Sequence, residues 1–277
     1  MVEEIVGCMK LHGENSNVQR IQTEHRVKIA EFWGIKEGSR VLEIGCGQGD
    51  TIAVLAYLVG KSGFVYGVDV ASPSYGSPIT LGEAAQHIKQ SKLGKQLQID
   101  FETDLLNPKL DFPEKSFDFI VLSHCSWYFE SPQKLLDVLT KVRKWGKHLC
   151  FAEWDLRIQQ MEQYPHLMAV LIQAQYECFK ESSESNVRTL FTADDVKKMA
   201  EQADWKMCKD TTIYSPDLQD GVWEVNYTID EYEAELKDNS NLSDKLKALI
   251  ESEVFLLKTA AANGKIKPMS TYAFIAQ

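Results

Sequence analysis

The segment EIGCGQGD, residues 43–50, places three glycines at alternate positions directly after an apolar run. Such glycines let the backbone approach a ligand closely and adopt angles that other residues avoid. A dinucleotide-binding turn instead reads GxGxxG and holds a pyrophosphate at the start of the next helix. Here Asp50 stands where that third glycine would be, and Glu43 lies two residues before the first glycine. Two carboxylates beside the turn disfavour a pyrophosphate and favour a ligand with a cationic, phosphate-free end.

With this motif the sequence resembles the class I S-adenosylmethionine-dependent methyltransferases. Their first motif is an acidic residue, an apolar residue and GxGxG, and EIGCGQG matches it at every position. Asp69 in VYGVDV and Asp104 in FETDLL stand where that superfamily places the acids that bind the ribose hydroxyls and the adenine amino group. SFDFIVLSHCSWYF resembles its fourth strand and active-site loop, and TYAFIAQ resembles its last, antiparallel strand. The resemblance implies S-adenosyl-L-methionine as the cofactor and S-adenosyl-L-homocysteine as the product.

The same resemblance implies which residues touch the cofactor. The carboxylate of Glu43 either holds the amides of the turn or reaches the methionine ammonium. That of Asp69 accepts hydrogen bonds from the ribose diol. The expected cofactor contacts are Glu43, Gly45, Cys46, Gly47, Gly49, Asp69, Val70, Asp104, Leu105, Ser123 and His124.

The end of the fourth predicted strand carries the candidate for catalysis. Methyl transfer from a sulfonium requires alignment, exclusion of water and, for some acceptors, removal of a proton. His124 lies at the carboxyl edge of the predicted sheet, where open α/β folds bind ligands, and it is the predicted base. The alternative is that His124 contacts the cofactor without catalysis. Aromatic side chains are the expected substrate contacts, namely Tyr75, Trp127, Tyr128 and Trp154.

Three further polar residues belong to the same region of the predicted fold. Glu153 and Asp155 end the fifth predicted strand and are candidate polar contacts to a substrate. His25 lies in the N-terminal helix. It either reaches the cofactor when that helix closes over the site, or faces solvent on the surface of the helix.

The 35 positions between Asp69 and Asp104 exceed the usual spacing in the superfamily. The extra residues form ASPSYGSPITLG, residues 71–82, a loop rich in Ser, Pro and Gly. Two interpretations remain open. The loop is either a surface insertion or a flap over the adenosine, with Tyr75 pointing inward.

Alternating apolar runs and helical patterns predict the elements that position these residues. Strands are expected at 40–46, 64–70, 96–104, 117–124 and 148–155, with helices between them. Asp50 or Thr51 is expected to cap the helix that follows the glycines, and Thr192 to cap a later helix. The predicted fold is α/β. It has a Rossmann-like, seven-stranded, mostly parallel sheet with helices on both faces, an antiparallel last strand and helical lid insertions.

The chain is expected to form one compact domain with three parts. Residues 1–39 are an N-terminal helical segment that closes on the cofactor site. Residues 40–155 are the cofactor-binding core. Residues 156–277 hold the remaining strands together with helical substrate-lid segments at 156–190 and 217–265.

Composition limits the classes of partner. Lys and Arg number 30 against 40 Asp and Glu, a net charge of −10 without a basic cluster, so no nucleic-acid partner is expected. Six cysteines without a CxxC pair indicate a reduced, cytoplasmic protein without structural zinc, and no metal site is expected. No apolar stretch approaches the roughly 20 residues of a membrane span. The expected partner is a small-molecule substrate, and the oligomeric state stays open.

The sequence therefore predicts a small-molecule methyltransferase that uses S-adenosylmethionine. Two alternatives share the fold: a catalytically silent protein that binds this cofactor, and an aminopropyl transferase that uses its decarboxylated form. A nicotinamide-dependent oxidoreductase is a third alternative. Asp50 and Glu43 disfavour it, because they would face a pyrophosphate.

Overall fold

A seven-stranded sheet forms the centre of the computed structural model, which describes residues 1–11, 16–183 and 185–277. Its strands are β1 (Arg40–Ile44), β2 (Phe64–Val68), β3 (Leu97–Asp100), β4 (Phe117–Ser123), β5 (Gly146–Trp154), β6 (Met207–Ile213) and β7 (Thr271–Ala276). Their order across the sheet is β3-β2-β1-β4-β5-β7-β6. Strand β7 is antiparallel to both β5 and β6, and the other neighbouring pairs are parallel. The predicted fold class is confirmed.

Helices cover both faces of this sheet. They are α1 (Val2–Val6), α2 (Ser16–Trp33), α3 (Asp50–Val59), α4 (Leu81–Gln90), α5 (Pro132–Val142), α6 (Tyr164–Glu177), α7 (Ala193–Gln202), α8 (Asp220–Asp238) and α9 (Asp244–Asn263). One core cluster joins α2, α3 and α4 to the sheet, and a second joins α5 and α7 to it. Because both faces are covered, the central strands are apolar on both sides, as Leu42 of β1 and its partner Ile120 of β4 show by being fully buried.

The helical insertions lie beyond β5. Helix α6 follows β5, and α8 and α9 lie between β6 and β7. These three helices share a separate core cluster, which includes Ile172, Tyr176, Val225 and Ile250. Among the described residues, no helix combines the length and the apolar character needed to cross a membrane.

Local details differ from the predictions at element ends. Helix α3 begins at Asp50 with Gly49 as its N-cap, so the predicted cap at Asp50 or Thr51 is wrong. The reason is that the Asp50 carboxylate bonds to α2 instead, accepting from Gln19 Nε2 at 3.0 Å. Strand β3 ends at Asp100, four residues before the predicted end. The predicted cap of α7 at Thr192 is confirmed by a capping box with Asp195.

Candidate active site

The glycine turn between β1 and α3 adopts a conformation that requires glycine. Gly45, Gly47 and Gly49 have φ angles of +68°, +51° and +85°, in the left-handed region. A Cβ atom on Gly45 would lie 2.8 Å from the Cβ of Cys125, so a larger residue does not fit there. The turn therefore presents bare backbone at the carboxyl edge of the sheet.

Asp69 holds this turn in place. It follows β2 directly, and its Oδ2 accepts a hydrogen bond from the Gly47 amide at 2.8 Å. Its Oδ1 accepts one from the Ala71 amide at 2.9 Å. A carboxylate has about four acceptor positions, so Asp69 can still accept hydrogen bonds from a ribose diol.

Glu43 places a buried acid beneath the turn. Its side chain is 1% exposed, and Oε2 has no hydrogen-bond partner among the described residues. Burial raises its pKa well above the usual carboxyl value, while the charge of Arg26 and a hydrogen bond from Thr51 act in the opposite direction. An unpartnered buried hydrogen-bond acceptor next to a glycine turn fits a cationic ligand group such as the methionine ammonium.

Helix α2 packs against the same end of the site. Gln19 Nε2 donates to Asp50 at 3.0 Å, and Arg26 Nη2 lies 3.5 Å from the other carboxylate oxygen of Asp50. Arg26 Nη1 also donates to Gln22 Oε1 at 2.7 Å. The N-terminal helix thus brings one guanidinium beside the turn and Glu43.

His124 stands directly after β4 in a strained conformation. Its φ is +50°, which is uncommon for a residue other than glycine, and its amide donates to the Ala152 carbonyl at 2.9 Å. His124 Nδ1 lies 3.3 Å from Oε1 of Glu153, which is the second-last residue of β5 and is 2% exposed. Glu153 is itself fixed, because its Oε2 accepts from the Ser126 amide and hydroxyl at 3.1 and 2.8 Å.

The other nitrogen of His124 faces His25 of α2. Its Nε2 lies 3.4 Å from His25 Nε2 and 3.5 Å from Thr271 Oγ1. His25 Nδ1 lies 3.0 Å from Ser215 Oγ, and His25 Nε2 lies 3.1 Å from Thr271 Oγ1. His25 is 3% exposed, so the alternative that it faces solvent is wrong. Burial is the main cause that lowers its pKa well below the usual histidine value, so His25 is neutral at pH 7.

These contacts determine which nitrogen of His124 can take a proton. The negative charge of Glu153, 3.3 Å from Nδ1, favours a proton on that nitrogen, although Nδ1 makes no hydrogen bond to a described residue. Nε2 is then the nitrogen with the free electron pair. Its contacts with His25 and Thr271, at 3.4 and 3.5 Å, are long for hydrogen bonds, so they leave this electron pair available.

Trp154 joins this group of imidazoles. Its ring centroid lies 4.7 Å from that of His124, 5.2 Å from that of His166 and 6.3 Å from that of His25. His166 is fully buried, and its Nδ1 accepts from the Met269 amide at 2.9 Å. Burial lowers the pKa of His166 to about 3. The predicted substrate contact Trp154 is therefore packed among three histidines.

The other predicted cofactor contacts differ in exposure. Cys46 is buried within the turn, and burial raises its pKa. Ser123 is the buried last residue of β4, and Leu105 is buried in the core. Val70 is 65% exposed, and Asp104 is exposed with its Oδ1 accepting from the amide two residues on. Their contacts with a cofactor stay predictions.

The aromatic residues predicted to contact the substrate separate into core and surface. Trp127 is 4% exposed and belongs to the core, so its burial does not support substrate contact. Tyr128 is 40% exposed, and desolvation raises the pKa of its hydroxyl. Tyr75 is 37% exposed in the 71–82 loop. That loop contacts the glycine turn, since Gln48 Nε2 donates to the Ile79 carbonyl at 2.7 Å.

The sequence carried one unused signal for His25. It lies four residues after Ile21 and four before Ile29, so it shares their apolar helical face. That spacing could have placed it inward. Ser215 and Thr271 had no comparable signal, because only the folded chain brings them to His25. Among the described residues, no group of three or more His, Cys, Asp or Glu side chains could hold a metal ion.

Comparison with known proteins agrees with this geometry. A family model described as a methyltransferase domain matches residues 18–209. The crystal structure of a cyclopropane-fatty-acyl-phospholipid synthase-like protein from Lactobacillus casei is 36% identical, with a TM-score of 0.88. That match covers 100% of this chain and 98% of the other.

Two curated relatives match shorter parts of the chain. Methyltransferase phomM' from Diaporthe leptostromiformis is 29% identical over 153 residues, which is 48% of this chain and 40% of that protein. The 2-phytyl-1,4-naphtoquinone methyltransferase of Nostoc punctiforme is 30% identical over 126 residues, which is 44% of this chain and 51% of that protein. The matched region thus spans about half or less of these relatives.

The chain belongs to the class I S-adenosylmethionine-dependent methyltransferase family, and S-adenosylmethionine is its cofactor. The site fits that molecule. The turn offers bare backbone, Asp69 offers hydrogen-bond acceptors for a ribose, and the unpartnered Oε2 of Glu43 offers one for an ammonium.

Cofactor binding should release a proton from Glu43. In the free protein, burial raises the pKa of this carboxyl, so that it stays protonated at a higher pH than an exposed carboxyl. A bound ammonium would favour the ionised form. Affinity should therefore rise with pH until the pH passes the raised pKa of Glu43. Calorimetric titration with S-adenosylhomocysteine over a range of pH, in buffers of different ionisation enthalpy, measures the released proton.

The matched comparison is Glu43→Gln against Glu114→Gln, which changes an exposed carboxyl. The first substitution should abolish the dependence of the heat on the buffer, and the second should leave it intact. A wild-type protein whose binding heat is the same in every buffer would contradict this account of Glu43.

Proposed function

We propose that this protein transfers a methyl group from S-adenosylmethionine to a small-molecule acceptor. The observation that carries the proposal is the His124–Glu153 pair, which lies at the ends of β4 and β5, beside the glycine turn. An imidazole beside a buried carboxylate is a suitable proton acceptor, because the carboxylate stabilises the imidazolium, and here it adjoins a cofactor site.

Charged groups at the turn support the expected orientation of the cofactor. Glu43 Oε2 binds the methionine ammonium, and Arg26 of α2 lies close enough to Asp50 and the turn to bind the methionine carboxylate. Asp69 binds the ribose diol, and Asp104 meets the adenine amino group. The N-terminal segment 1–39 therefore closes one end of the site through α2.

Three observations support a small-molecule acceptor. The net charge of −10 is unsuited to the nucleic-acid backbone. The helical insertions α6, α8 and α9 share a core cluster of their own beyond β5, and they are the proposed lid over the site. One relative is named for a naphthoquinone substrate, which is a small molecule.

The residues of this chain align the acceptor and take its proton. When bound, S-adenosylmethionine supplies a methyl group on a positively charged sulfur, and the acceptor takes it by in-line displacement while the sulfur keeps the bonding electrons. Tyr128 and Trp154 contact the acceptor on its sides and exclude water from it. His124 receives the proton of the acceptor at Nε2, and the charge of Glu153, 3.3 Å from Nδ1, stabilises the resulting imidazolium.

The test of this function uses the methyl-labelled cofactor and a metabolite extract. The expected result is formation of S-adenosylhomocysteine together with one labelled small molecule. Tight cofactor binding without any S-adenosylhomocysteine would favour the catalytically silent alternative. Transfer of an aminopropyl group from the decarboxylated cofactor would favour the aminopropyl transferase alternative.

Replacing His124 by Ala should lower turnover about 10²- to 10⁴-fold while leaving cofactor affinity nearly unchanged, because the proton acceptor is lost. Since a general base acts only in its unprotonated form, the wild-type rate should fall at acid pH. The measurement is a pH–rate profile at saturating cofactor, with His87→Ala on the exposed face of α4 as control. A His124→Ala rate and profile like those of the wild type would remove His124 from catalysis. A loss confined to cofactor affinity would assign it a contact role.

A further inference from the structure

One face of α8 turns polar side chains toward the interior. At the start of the helix, Asp220 Oδ2 accepts from Gln22 Nε2 of α2 at 2.6 Å. Glu224 and Thr228 follow at intervals of four residues, so they share this face. Gln22 is in turn hydrogen-bonded to Arg26, whose guanidinium lies 3.5 Å from Asp50 at the end of the glycine turn, so the face begins near the cofactor site.

This face meets a buried amide on α6. Gln173 is fully buried, and its Nε2 donates to Glu224 at 2.8 Å and to the Thr228 hydroxyl at 3.0 Å. Glu224 is also hydrogen-bonded by Asn186, and burial raises its pKa. The carbonyl oxygen of the Gln173 side chain, Oε1, has no partner among the described residues. The Gln173 amide group thus donates both of its hydrogen bonds within the cluster, whereas its carbonyl oxygen can still accept one.

Tyr128 connects the cluster to the active site. The segment 186–188 makes this connection: Asn186 is hydrogen-bonded to Glu224, and the Arg188 amide donates at 2.8 Å to the carbonyl of Trp127, the residue before Tyr128. Tyr128 is one of the exposed aromatic residues on the active-site loop. Arg188 places a positive charge near Tyr128, because its guanidinium carbon lies 6.0 Å from the Tyr128 ring centroid. Its Nε donates to the Ser185 carbonyl at 3.1 Å.

The unmatched groups specify the chemistry of a ligand. A buried hydrogen-bond acceptor without a donor is costly, and a ligand that brings donors removes that cost. An ammonium offers three donors and no acceptor, and its charge suits a carboxylate beside an aromatic ring. A carboxylate or phosphate ligand would meet Glu224 and Glu153 with like charge.

We propose that the methyl acceptor is a small organic molecule with an ammonium group, which binds against the hydrogen-bonded pair of Glu224 and Gln173 on the lid side of the site. This inference rests on the proposed function, because it names the substrate class for the same site. Glu224 supplies the opposite charge, and Gln173 Oε1 accepts a second hydrogen bond.

The first experiment divides a metabolite extract by ion exchange at neutral pH. Cation-retained, anion-retained and unretained fractions are each incubated with the protein and methyl-labelled S-adenosylmethionine. The labelled product should arise from the cation-retained fraction. Label arising only from either other fraction would overturn the inference and leave the methyltransferase function intact.

The second experiment compares Glu224→Gln with Glu231→Gln, which changes an exposed carboxyl on the same helix. With the compound that accepts label, Glu224→Gln should raise KM at least tenfold. The affinity for S-adenosylhomocysteine should change less than twofold, because Glu224 does not hold the cofactor. Glu231→Gln should change neither quantity. An unchanged KM in folded Glu224→Gln protein would contradict the inference.

If no fraction accepts label, the proposed function fails, and binding then tests the inference alone. Protein loaded with S-adenosylhomocysteine is incubated with each fraction and filtered, and the retained compounds are identified by mass spectrometry. Retention of organic cations by the wild type, but not by Glu224→Gln, supports the ammonium site. Equal retention by both proteins, or retention of none, overturns it.

Discussion

The hydrogen bond from the Gly47 amide to Asp69 is the contact on which the site depends. It ties the turn after β1 to the residue after β2, and the two strands are paired in register up to Ile44 and Val68. With that bond in place, three left-handed glycines present backbone to the cofactor and Glu43 lies beneath them. A carboxylate that first shapes the turn is then in position for the ribose, so one side chain serves both structure and binding.

The polar groups around His124 come from distant parts of the sequence. His25, His124, Glu153 and Thr271 meet because the sheet brings strand ends to one edge. Strand β7 runs antiparallel to β5 and pairs Thr271 with Trp154, so its first residue lies where the parallel strands end. Helix α2 then places His25 against that edge. The antiparallel direction of the last strand thus supplies a polar contact that a further parallel strand would have placed at the opposite edge.

Most strands of the sheet and the residues expected to contact the cofactor could be predicted from local sequence patterns. Apolar runs predict β1, β2, β4 and β5 closely, because buried strands need them on both faces. The positions of Glu43, Asp69 and His124 follow, since strand ends are fixed by those runs. The burial of His25 and the contact between Gln173 and Glu224 did not follow, because they depend on how helices far apart in sequence pack together. The cap of α3 was missed for the same reason: Asp50 bonds to Gln19 of α2.

The most direct test of the account is the affinity of Asp69→Ala protein for S-adenosylhomocysteine, measured by calorimetry beside the wild type and Asp69→Asn. Hydrogen bonds to a charged group contribute about 1.5–3 kcal/mol, so the Ala variant should bind roughly ten- to a hundredfold more weakly. The Asn variant, which keeps one acceptor oxygen, should fall between the two. Circular dichroism and thermal unfolding establish that each variant is folded. Wild-type affinity in a folded Asp69→Ala protein would contradict the central role given to this carboxylate.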